Sequence, residues 1–431
     1  MISIPLGQGA RPAVILARYA NRHGLIAGAT GTGKTYTVAT MAEGFSRIGV
    51  PVFLCDVKGD LAGMALDGRD RAAPVQFLDV YGERGAPIRA SVRAVGAELL
   101  ARILQMTAVQ SDILGAMFAS YAGRLESLDD LMRALARPHG FQATKASLQA
   151  IRRALIKFRA DGGADCFFGA PAFDVARLER RDAQGAGFVS ILAAERLIQA
   201  PELYGAALLW LLADLYKRAP ELGDVAKPRL VLFFDEAHLM FTDAPPALIQ
   251  RFERMVRLIR SKGIGVYLAT QSPADIPPAI AAQLANRVQH AMRAATLADR
   301  REIQGAADCL PLNPRVNAAR AIATMATGTA LVSTLDSSGQ PSPVDIVRIN
   351  APAGRMGAIT DAERAPFIPA ALATESAREA AQSGASMGPL AVAFTALIAV
   401  ILALGAFPHA VALGLALLVM LALFGKLARI S

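Results

Sequence analysis

The sequence predicts an α/β protein with a mostly parallel β-sheet, a helical insertion and an apolar C-terminal segment. Three observations lead to this prediction. Short apolar runs recur between residues 23 and 334, most of them separated by segments of helical periodicity. From about residue 95 to 180 the apolar spacing is helical almost throughout. Near the C-terminus the charged residues disappear.

The apolar runs show little polar alternation, which favours parallel strands that are covered on both faces. The first two runs flank a glycine-rich turn and a helical pattern, as in a βαβ unit. They lie at 23–28 and 50–57, and further runs lie at 74–80, 187–192, 229–234, 264–270 and 328–334. We therefore expect the core to comprise residues 1–94 and 181–350.

The segment 95–180 is predicted as a helical insertion because AELLARILQM, SDILGAMFASYAG, SLDDLMRALA and KASLQAIRRALIKFRA all have amphipathic spacing. Residues 351–386 are rich in Ala, Pro, Gly and Ser, which is typical of a linker.

Composition limits the possible classes of protein. The chain has 431 residues, 53% of them hydrophobic, which is enough for two or three folding units and excludes a largely disordered chain. Cys55, Cys166 and Cys309 lie far apart and the histidines form no HExxH array, so we expect neither a disulfide framework nor a structural zinc. The net charge of +9 suits nucleic acid or an anionic membrane surface equally well.

The strongest motif is GATGTGKT, which fits the pattern GxxxxGK[ST] between a predicted strand and a predicted helix. Glycines let backbone N–H groups surround phosphates, and the helix N-terminus favours negative charge. Lys34 would approach the transferred phosphate and Thr35 would bind Mg²⁺. The predicted nucleotide-binding residues are Gly28, Ala29, Thr30, Gly31, Thr32, Gly33, Lys34 and Thr35.

A second motif, LVLFFDEAH, is an apolar strand that ends in two acids. Asp235 is predicted to hold the Mg²⁺ site and Glu236 to act as general base for an attacking water. The carboxylate pair indicates hydrolysis rather than kinase transfer. The letters DEAH also occur in superfamily-two helicases, but the SAT-type and QRxGRxGR motifs of that class are absent from the sequence.

Two further features concern the same site. Gln271 follows the run 264–270 and is predicted to sense the γ-phosphate or to orient the water, with a turn or capping role as the alternative. Between the two strands, arginines recur at every third position of a predicted helix and cover a broad face. A solvated basic face and a phosphate-contacting arginine both remain open for Arg251, Arg254, Arg257 and Arg260.

Seven segments together resemble the bacterial HerA-helicase-like ATPase family of the HerA–FtsK superfamily of P-loop motors. The match runs in order over roughly residues 1 to 360. Its segments are ANRHGLIAGATGTGKT (20–35), DVKGDLAGM (56–64), DVYGERGAPIR (79–89), FFDEAHLMF (233–241), VRLIRSKGIGVYLATQSPADIP (256–277), ANRVQHAMRA (285–294) and ALVSTLDSSGQPSPVD (330–345).

The resemblance implies a RecA-like P-loop NTPase core, ATP and Mg²⁺, and a homo-oligomeric ring, often a hexamer. In such a ring an arginine from one subunit completes the neighbouring site. The candidates are Arg257, Arg260, Arg287 and Arg293. Asp56 and Lys58 stand in a DxKG stretch that the superfamily shares.

The apolar C-terminal segment predicts a transmembrane helical hairpin over 387–427. Residues 388–425 contain no Asp, Glu, Lys or Arg, and as one helix they would span about 57 Å, nearly twice a bilayer core of about 30 Å. Pro408 would therefore lie in a turn between spans at 388–407 and 410–425. Basic residues outside both spans place both ends in the cytoplasm. A buried helical hairpin or an oligomer core is the alternative.

These features leave three functions open. The first is a DNA translocase tethered to the inner (cytoplasmic) membrane with its ATPase domain in the cytoplasm, and double-stranded DNA is then the partner. The second is a membrane-anchored ATPase of the secretion or conjugation type that acts on protein. The third, a nucleotide switch with little turnover, is disfavoured by Glu236, because a pure switch needs no general base.

Overall fold

The computed structural model of the chain describes residues 1–368, except 67–72, 122, 138–141, 161, 224 and 243. Within these residues twelve strands form one sheet, in the order β2-β1-β12-β11-β10-β3-β9-β8-β4-β7-β5-β6. The strands are β1 (Ser3–Gln8), β2 (Pro12–Leu16), β3 (Gly24–Ala27), β4 (Val52–Asp56), β5 (Val75–Asp79), β6 (Ala86–Pro87), β7 (Val189–Ala193), β8 (Leu230–Phe234), β9 (Ile264–Thr270), β10 (Asn286–His290), β11 (Thr329–Ser333) and β12 (Asp345–Ile349).

The larger part of the sheet is parallel. From β10 through β3, β9, β8, β4, β7 and β5 to β6, every neighbouring pair is parallel. The other end, β2-β1-β12-β11-β10, is antiparallel. The predicted α/β fold with a mostly parallel sheet is confirmed.

The helices lie between these strands. They are α1 (Lys34–Arg47), α2 (Val92–Val95), α3 (Ala97–Ile103), α4 (Ala108–Ser120), α5 (Leu128–Ala136), α6 (Lys145–Arg159), α7 (Gly163–Phe167), α8 (Pro201–Arg218), α9 (Pro246–Ile259), α10 (Pro278–Ala281), α11 (Leu297–Asp308), α12 (Ala318–Thr324) and α13 (Asp361–Arg364). The segment predicted as a helical insertion contains α3 to α7, and α2 begins just before it.

The central strands are buried on both faces, as their continuous apolar runs require. Every residue of β4, β7, β8 and β9 is buried. On one face Phe233 stacks on Tyr267 with ring centroids 5.0 Å apart, and Phe45 of α1 packs on both rings. This aromatic contact fixes α1, and with it the loop that precedes α1, on the middle of the sheet.

Five strands lie outside the seven apolar runs and were not predicted: β1, β2, β6, β10 and β12. In β10 polar side chains make hydrogen bonds inside the protein. The Asn286 side chain donates to the backbone oxygen of His23 at 2.9 Å and lies near that of Tyr19. In β12 exposed and buried residues mostly alternate, which is typical of the outer part of a sheet.

Residues 351–368, the first part of the predicted linker, pack against the core. The Glu43 carboxylate on α1, only 2% exposed, accepts hydrogen bonds from the backbone of Ala353 and Gly354 at 2.7 and 2.8 Å. Further along, the buried Arg364 guanidinium lies 4.3 Å from the Phe77 ring centroid. The first part of the predicted linker therefore contacts the core.

No helix in the described part of the chain combines the length and apolarity that crossing a bilayer demands. The predicted hairpin at 387–427 lies outside the described residues.

His23 connects β9 to α9 from inside the core. Its Nδ1 accepts the Val266 N–H at 3.0 Å, so Nε2 carries the proton and donates to the Val256 oxygen at 2.9 Å. Burial lowers the pKa of His23 from 6.5 to about 4. The neutral ring is thus the form that the fold requires.

This burial predicts a pH-dependent stability. Between pH 6.5 and 4 the unfolded chain binds a proton at His23 that the folded chain does not, so the stabilisation present above pH 6.5 is lost as the pH falls. In denaturant titrations of the full chain at pH 7 and pH 5, the wild type should lose about 2 kcal/mol more unfolding free energy than His23→Asn. An equal loss in both proteins would contradict this assignment.

Candidate functional site

The site lies where four adjacent parallel strands end. Strands β4, β8, β9 and β3 are neighbours in that order, so their carboxyl ends lie along one edge of the sheet. The segments that follow these strands are 57–61, 235–236, 271–272 and 28–35. Topology therefore brings three of the predicted segments, and the DxKG stretch, to one place.

The loop between β3 and α1 has a backbone that only glycine adopts readily. Gly28, Gly31 and Gly33 have φ values of 148°, 77° and 115°. A Cβ atom on Gly28 would lie 2.5 Å from the Cβ of His290, which leaves no room for a side chain. Helix α1 begins at Lys34, immediately after Gly33, so the loop leads directly into a helix N-terminus suited to phosphate.

Lys34 points back into this loop and is only 5% exposed. Its ammonium donates to the backbone oxygen of Gly28 at 2.6 Å and of Ala29 at 3.2 Å. Burial lowers the pKa of Lys34. A phosphate group would offer this cation a stronger, charged acceptor than two carbonyl oxygens do.

Carboxylate oxygens of Asp56, Asp60 and Asp235 lie within 4.8 Å of one another. The Thr35 hydroxyl donates to Asp60 at 3.3 Å. One oxygen of Asp60 and one of Asp235 are buried without a hydrogen-bond partner. Burial, with the neighbouring carboxylates, raises the pKa of Asp235 to about 6 and that of Asp56 to about 8.

These oxygens fit Mg²⁺, which prefers hard oxygen ligands. Thr35 and Asp235 would hold the ion, with Asp60 beside them. Asp56 is already engaged, since its two oxygens accept hydrogen bonds from the backbone of Gly59 at 2.8 Å and Leu61 at 3.1 Å. Its main contribution is the shape of the loop after β4.

Glu236 is 3% exposed and lies in the left-handed region, with φ 44° and ψ 48°. One carboxylate oxygen contacts the Lys58 ammonium. The other accepts a hydrogen bond from Gln271 at 3.3 Å and lies 3.2 Å from His238 Nδ1. Although burial raises the pKa of Glu236, Lys58 and Gln271 hold it below the ordinary value.

The structure thus brings together Lys34, Thr35, Asp235, Glu236 and Gln271, all predicted from the sequence. Asp60 is not predicted from the sequence, and the sequence assigns no role to Lys58. Both follow the buried strand β4 in the stretch DVKGD. This stretch is visible in the sequence, but it matches no catalytic motif. His290, beneath the loop with Nε2 2.8 Å from the Thr37 hydroxyl, was also missed.

The four candidate arginines lie in different surroundings. Arg257 pairs with Glu253 at 2.7 Å, and the exposed Arg260 follows α9. Arg287 donates to the Ala281 oxygen at 3.0 Å. Arg293 is exposed just after Ala291, whose backbone oxygen accepts from Ala29 of the phosphate loop at 2.9 Å. All four stay predictions.

The chain can be compared with known proteins. It matches the model of the family described as "Helicase HerA-like C-terminal" over residues 3–382. The chain belongs to this HerA-like family. No curated protein sequence gives a significant match to this HerA-like chain.

Solved structures share the fold of this HerA-like protein. VirB4 of Thermoanaerobacter pseudethanolicus has a TM-score of 0.58 at 16% identity, covering 81% of this chain and 96% of its own. The unbound conjugative coupling protein TrwBdeltaN70 has a TM-score of 0.55 at 17% identity, covering 83% and 92%. Plasmid coupling protein TrwB in complex with the non-hydrolysable ATP analogue ADPNP has a TM-score of 0.55 at 17% identity, covering 80% and 88%.

Family membership and the assembled motifs lead to one conclusion about chemistry. The HerA-like chain is a P-loop ATPase whose cofactors are ATP and Mg²⁺. Residues 28–35 form its glycine-rich loop after β3, and Asp235 and Glu236 follow β8, which lies two strands away from β3 in the sheet.

Two substitutions separate binding from turnover. We expect Glu236→Gln to lower kcat by at least about 100-fold while ATP binding persists, because the amide cannot accept a proton from water. Lys34→Ala should lose hydrolysis and weaken ATP binding as well. ATP turnover and equilibrium nucleotide binding measure these effects, with Lys217→Ala, an exposed lysine at the end of α8, as control. Normal turnover by Glu236→Gln would refute its role as base.

Proposed function

We propose that this HerA-like ATPase uses ATP hydrolysis to translocate double-stranded DNA. The observation that carries the proposal is that the phosphate loop, the acidic pair and Gln271 lie together at one edge of the sheet. A general base beside the phosphate loop favours continuous turnover, as a motor requires, over a nucleotide switch.

The chain's own residues supply the steps of hydrolysis. Lys34 and the loop amides would hold the phosphates, while Thr35 and Asp235 would hold the metal. The water oxygen bonds to the γ-phosphorus, Glu236 accepts the water proton, and the bond to the β-phosphate oxygen breaks with its electron pair leaving on ADP. Gln271, already hydrogen-bonded to Glu236, orients the water.

Exposed arginines support a DNA substrate. The arginines of α9 and the turn after it are Arg251, Arg254, Arg257 and Arg260. Arg251 pairs with Glu98 at 3.0 Å, whereas Arg254 and Arg260 are exposed. Exposed arginines of this kind bind phosphates without reading sequence, as a translocase must.

The assembly and location belong to the same proposal. A homo-oligomeric ring, a hexamer in many motors of this kind, would let an arginine of one copy complete the next site. The apolar residues 388–425 would tether the ring to the inner membrane with the ATPase domain in the cytoplasm.

The second candidate is a membrane-anchored ATPase that acts on protein, as in secretion or conjugation. The apolar tail serves that role equally well. The shared fold does not separate the two candidates, because a plasmid coupling protein and VirB4 resemble the chain about equally. The substrate therefore has to be tested directly.

The test is the ATPase rate of the full chain with and without double-stranded DNA over a salt series. We expect stimulation that fades steeply with salt, because phosphate contacts release counterions. The double variant Arg254→Gln/Arg260→Gln should reach half-maximal stimulation only at a higher DNA concentration. The slope of its log DNA affinity against log salt concentration should be smaller by about two. The matched control is Arg152→Gln/Arg153→Gln on α6, which removes two exposed charges from the helical insertion.

A rate that is indifferent to DNA at every salt concentration, with ATP turnover intact, would overturn the DNA proposal. It would leave the ATPase assignment in place and favour a protein substrate.

A further inference from the structure

Lys58 is a charged side chain at the centre of the site that the steps above leave without a role. It lies in the loop after β4, and its ammonium contacts a carboxylate oxygen of Glu236. The two partners differ in freedom: the side chain of Lys58 is 40% exposed and that of Glu236 is 4% exposed. If the pair opens, Lys58 is therefore the partner that can move.

The ion pair makes Glu236 a poor base. One of its oxygens is occupied by the Lys58 ammonium and the other by the Gln271 amide. A carboxylate has about four acceptor positions, so Glu236 keeps lone pairs besides the two in these contacts. The ammonium charge beside it nevertheless stabilises the carboxylate form and makes it a weaker proton acceptor.

The loop fixes where Lys58 can reach. The Asp56 carboxylate accepts hydrogen bonds from the backbone N–H groups of Gly59 and Leu61, and these bonds hold the backbone that follows Lys58. Gly59 has a φ of 76°, and a Cβ atom there would lie 2.5 Å from a carboxylate oxygen of Glu195. With the backbone fixed, movement is limited to the flexible Lys58 side chain.

Lys58 also shares its surroundings with Lys34. The charges of Glu236, Asp235 and Asp60 act on both lysines. Two ammonium groups in one site repel each other, and an anion between them offsets that repulsion. A terminal phosphate held by Lys34 is such an anion, and it carries more negative charge than the single carboxylate of Glu236.

We propose that Lys58 binds the γ-phosphate and thereby distinguishes ATP from ADP, releasing Glu236 only when the triphosphate is present. The proposal rests on the ATPase function above and adds a specificity-determining residue to it. With ATP bound, the Lys58 ammonium leaves the Glu236 carboxylate for a γ-phosphate oxygen, and Glu236 is free to take the water proton. Once phosphate departs, Lys58 returns to Glu236.

The proposal requires that Glu236 and the γ-phosphate compete for one ammonium, which a double-mutant cycle measures without any turnover. The four proteins are the wild type, Lys58→Met, Glu236→Gln and the double variant. The readout is the Kd for ADPNP and for ADP, both with Mg²⁺, on the full chain. Met keeps the length of the lysine side chain and removes the charge.

We expect Glu236→Gln to tighten ADPNP binding about tenfold when Lys58 is present, because the ammonium no longer has to leave a carboxylate. In the Lys58→Met background the same change should have less than about a twofold effect. Lys58→Met alone should weaken ADPNP by about tenfold and leave ADP unchanged. Lys58→Arg should keep most of the preference for ADPNP over ADP, because it keeps the charge.

Any one of three results would overturn the proposal. Glu236→Gln could change ADPNP affinity equally in both backgrounds, or Lys58→Met could leave the ratio of ADPNP to ADP affinity unchanged. The third result is a lower ratio in Lys217→Met, the exposed-lysine control. Unaltered ADP affinity in Lys58→Met shows that the variant is folded. Wild-type ATP hydrolysis tests the proposed function separately, so failure of one idea is distinguishable from failure of the other.

Discussion

The site depends on the parallel pairing of β4, β8, β9 and β3. Because these strands run in one direction and lie side by side, their carboxyl ends deliver four separate stretches of sequence to one edge. Lys58 and Glu236 lie 178 residues apart in the chain and meet only because β4 pairs with β8. The apolar side chains of these strands serve the chemistry indirectly, since burial on both faces keeps the register and the edge fixed.

Buried charge is the second constraint. Lys34, Asp56, Asp235 and Glu236 are each 5% exposed or less, and such charges are costly unless they have partners. The protein supplies those partners itself: loop carbonyls for Lys34, backbone N–H groups for Asp56, and Lys58 and Gln271 for Glu236. Asp235 keeps an oxygen without one, and burial and its acidic neighbours raise its pKa. A metal-bound triphosphate would replace these substitutes with ligands of the right charge.

Features formed by residues that are close in the sequence could be predicted from it, whereas features that bring distant residues together could not. The phosphate loop, the Asp235–Glu236 pair and Gln271 each follow a continuous apolar run, so local pattern was enough to find them. The proximity of Asp60 to Thr35 and the ion pair of Lys58 depend on strand order, which local pattern does not contain. The strand β10 was missed because Asn286 and His290 are polar residues buried through specific hydrogen bonds. The packing of residues 351–368 was missed because Glu43 holds backbone groups, which leave no mark in composition.

The central claim is that this edge of the sheet binds a magnesium-bound triphosphate and presents it to Glu236. The most direct measurement is a crystal structure of the chain with ADPNP and Mg²⁺. The account predicts phosphates against the amides of residues 28–35, the metal on Thr35 and Asp235, and the terminal phosphate between Lys34 and Glu236. A nucleotide bound elsewhere, or a terminal phosphate that contacts neither Lys34 nor the metal ligands, would contradict it.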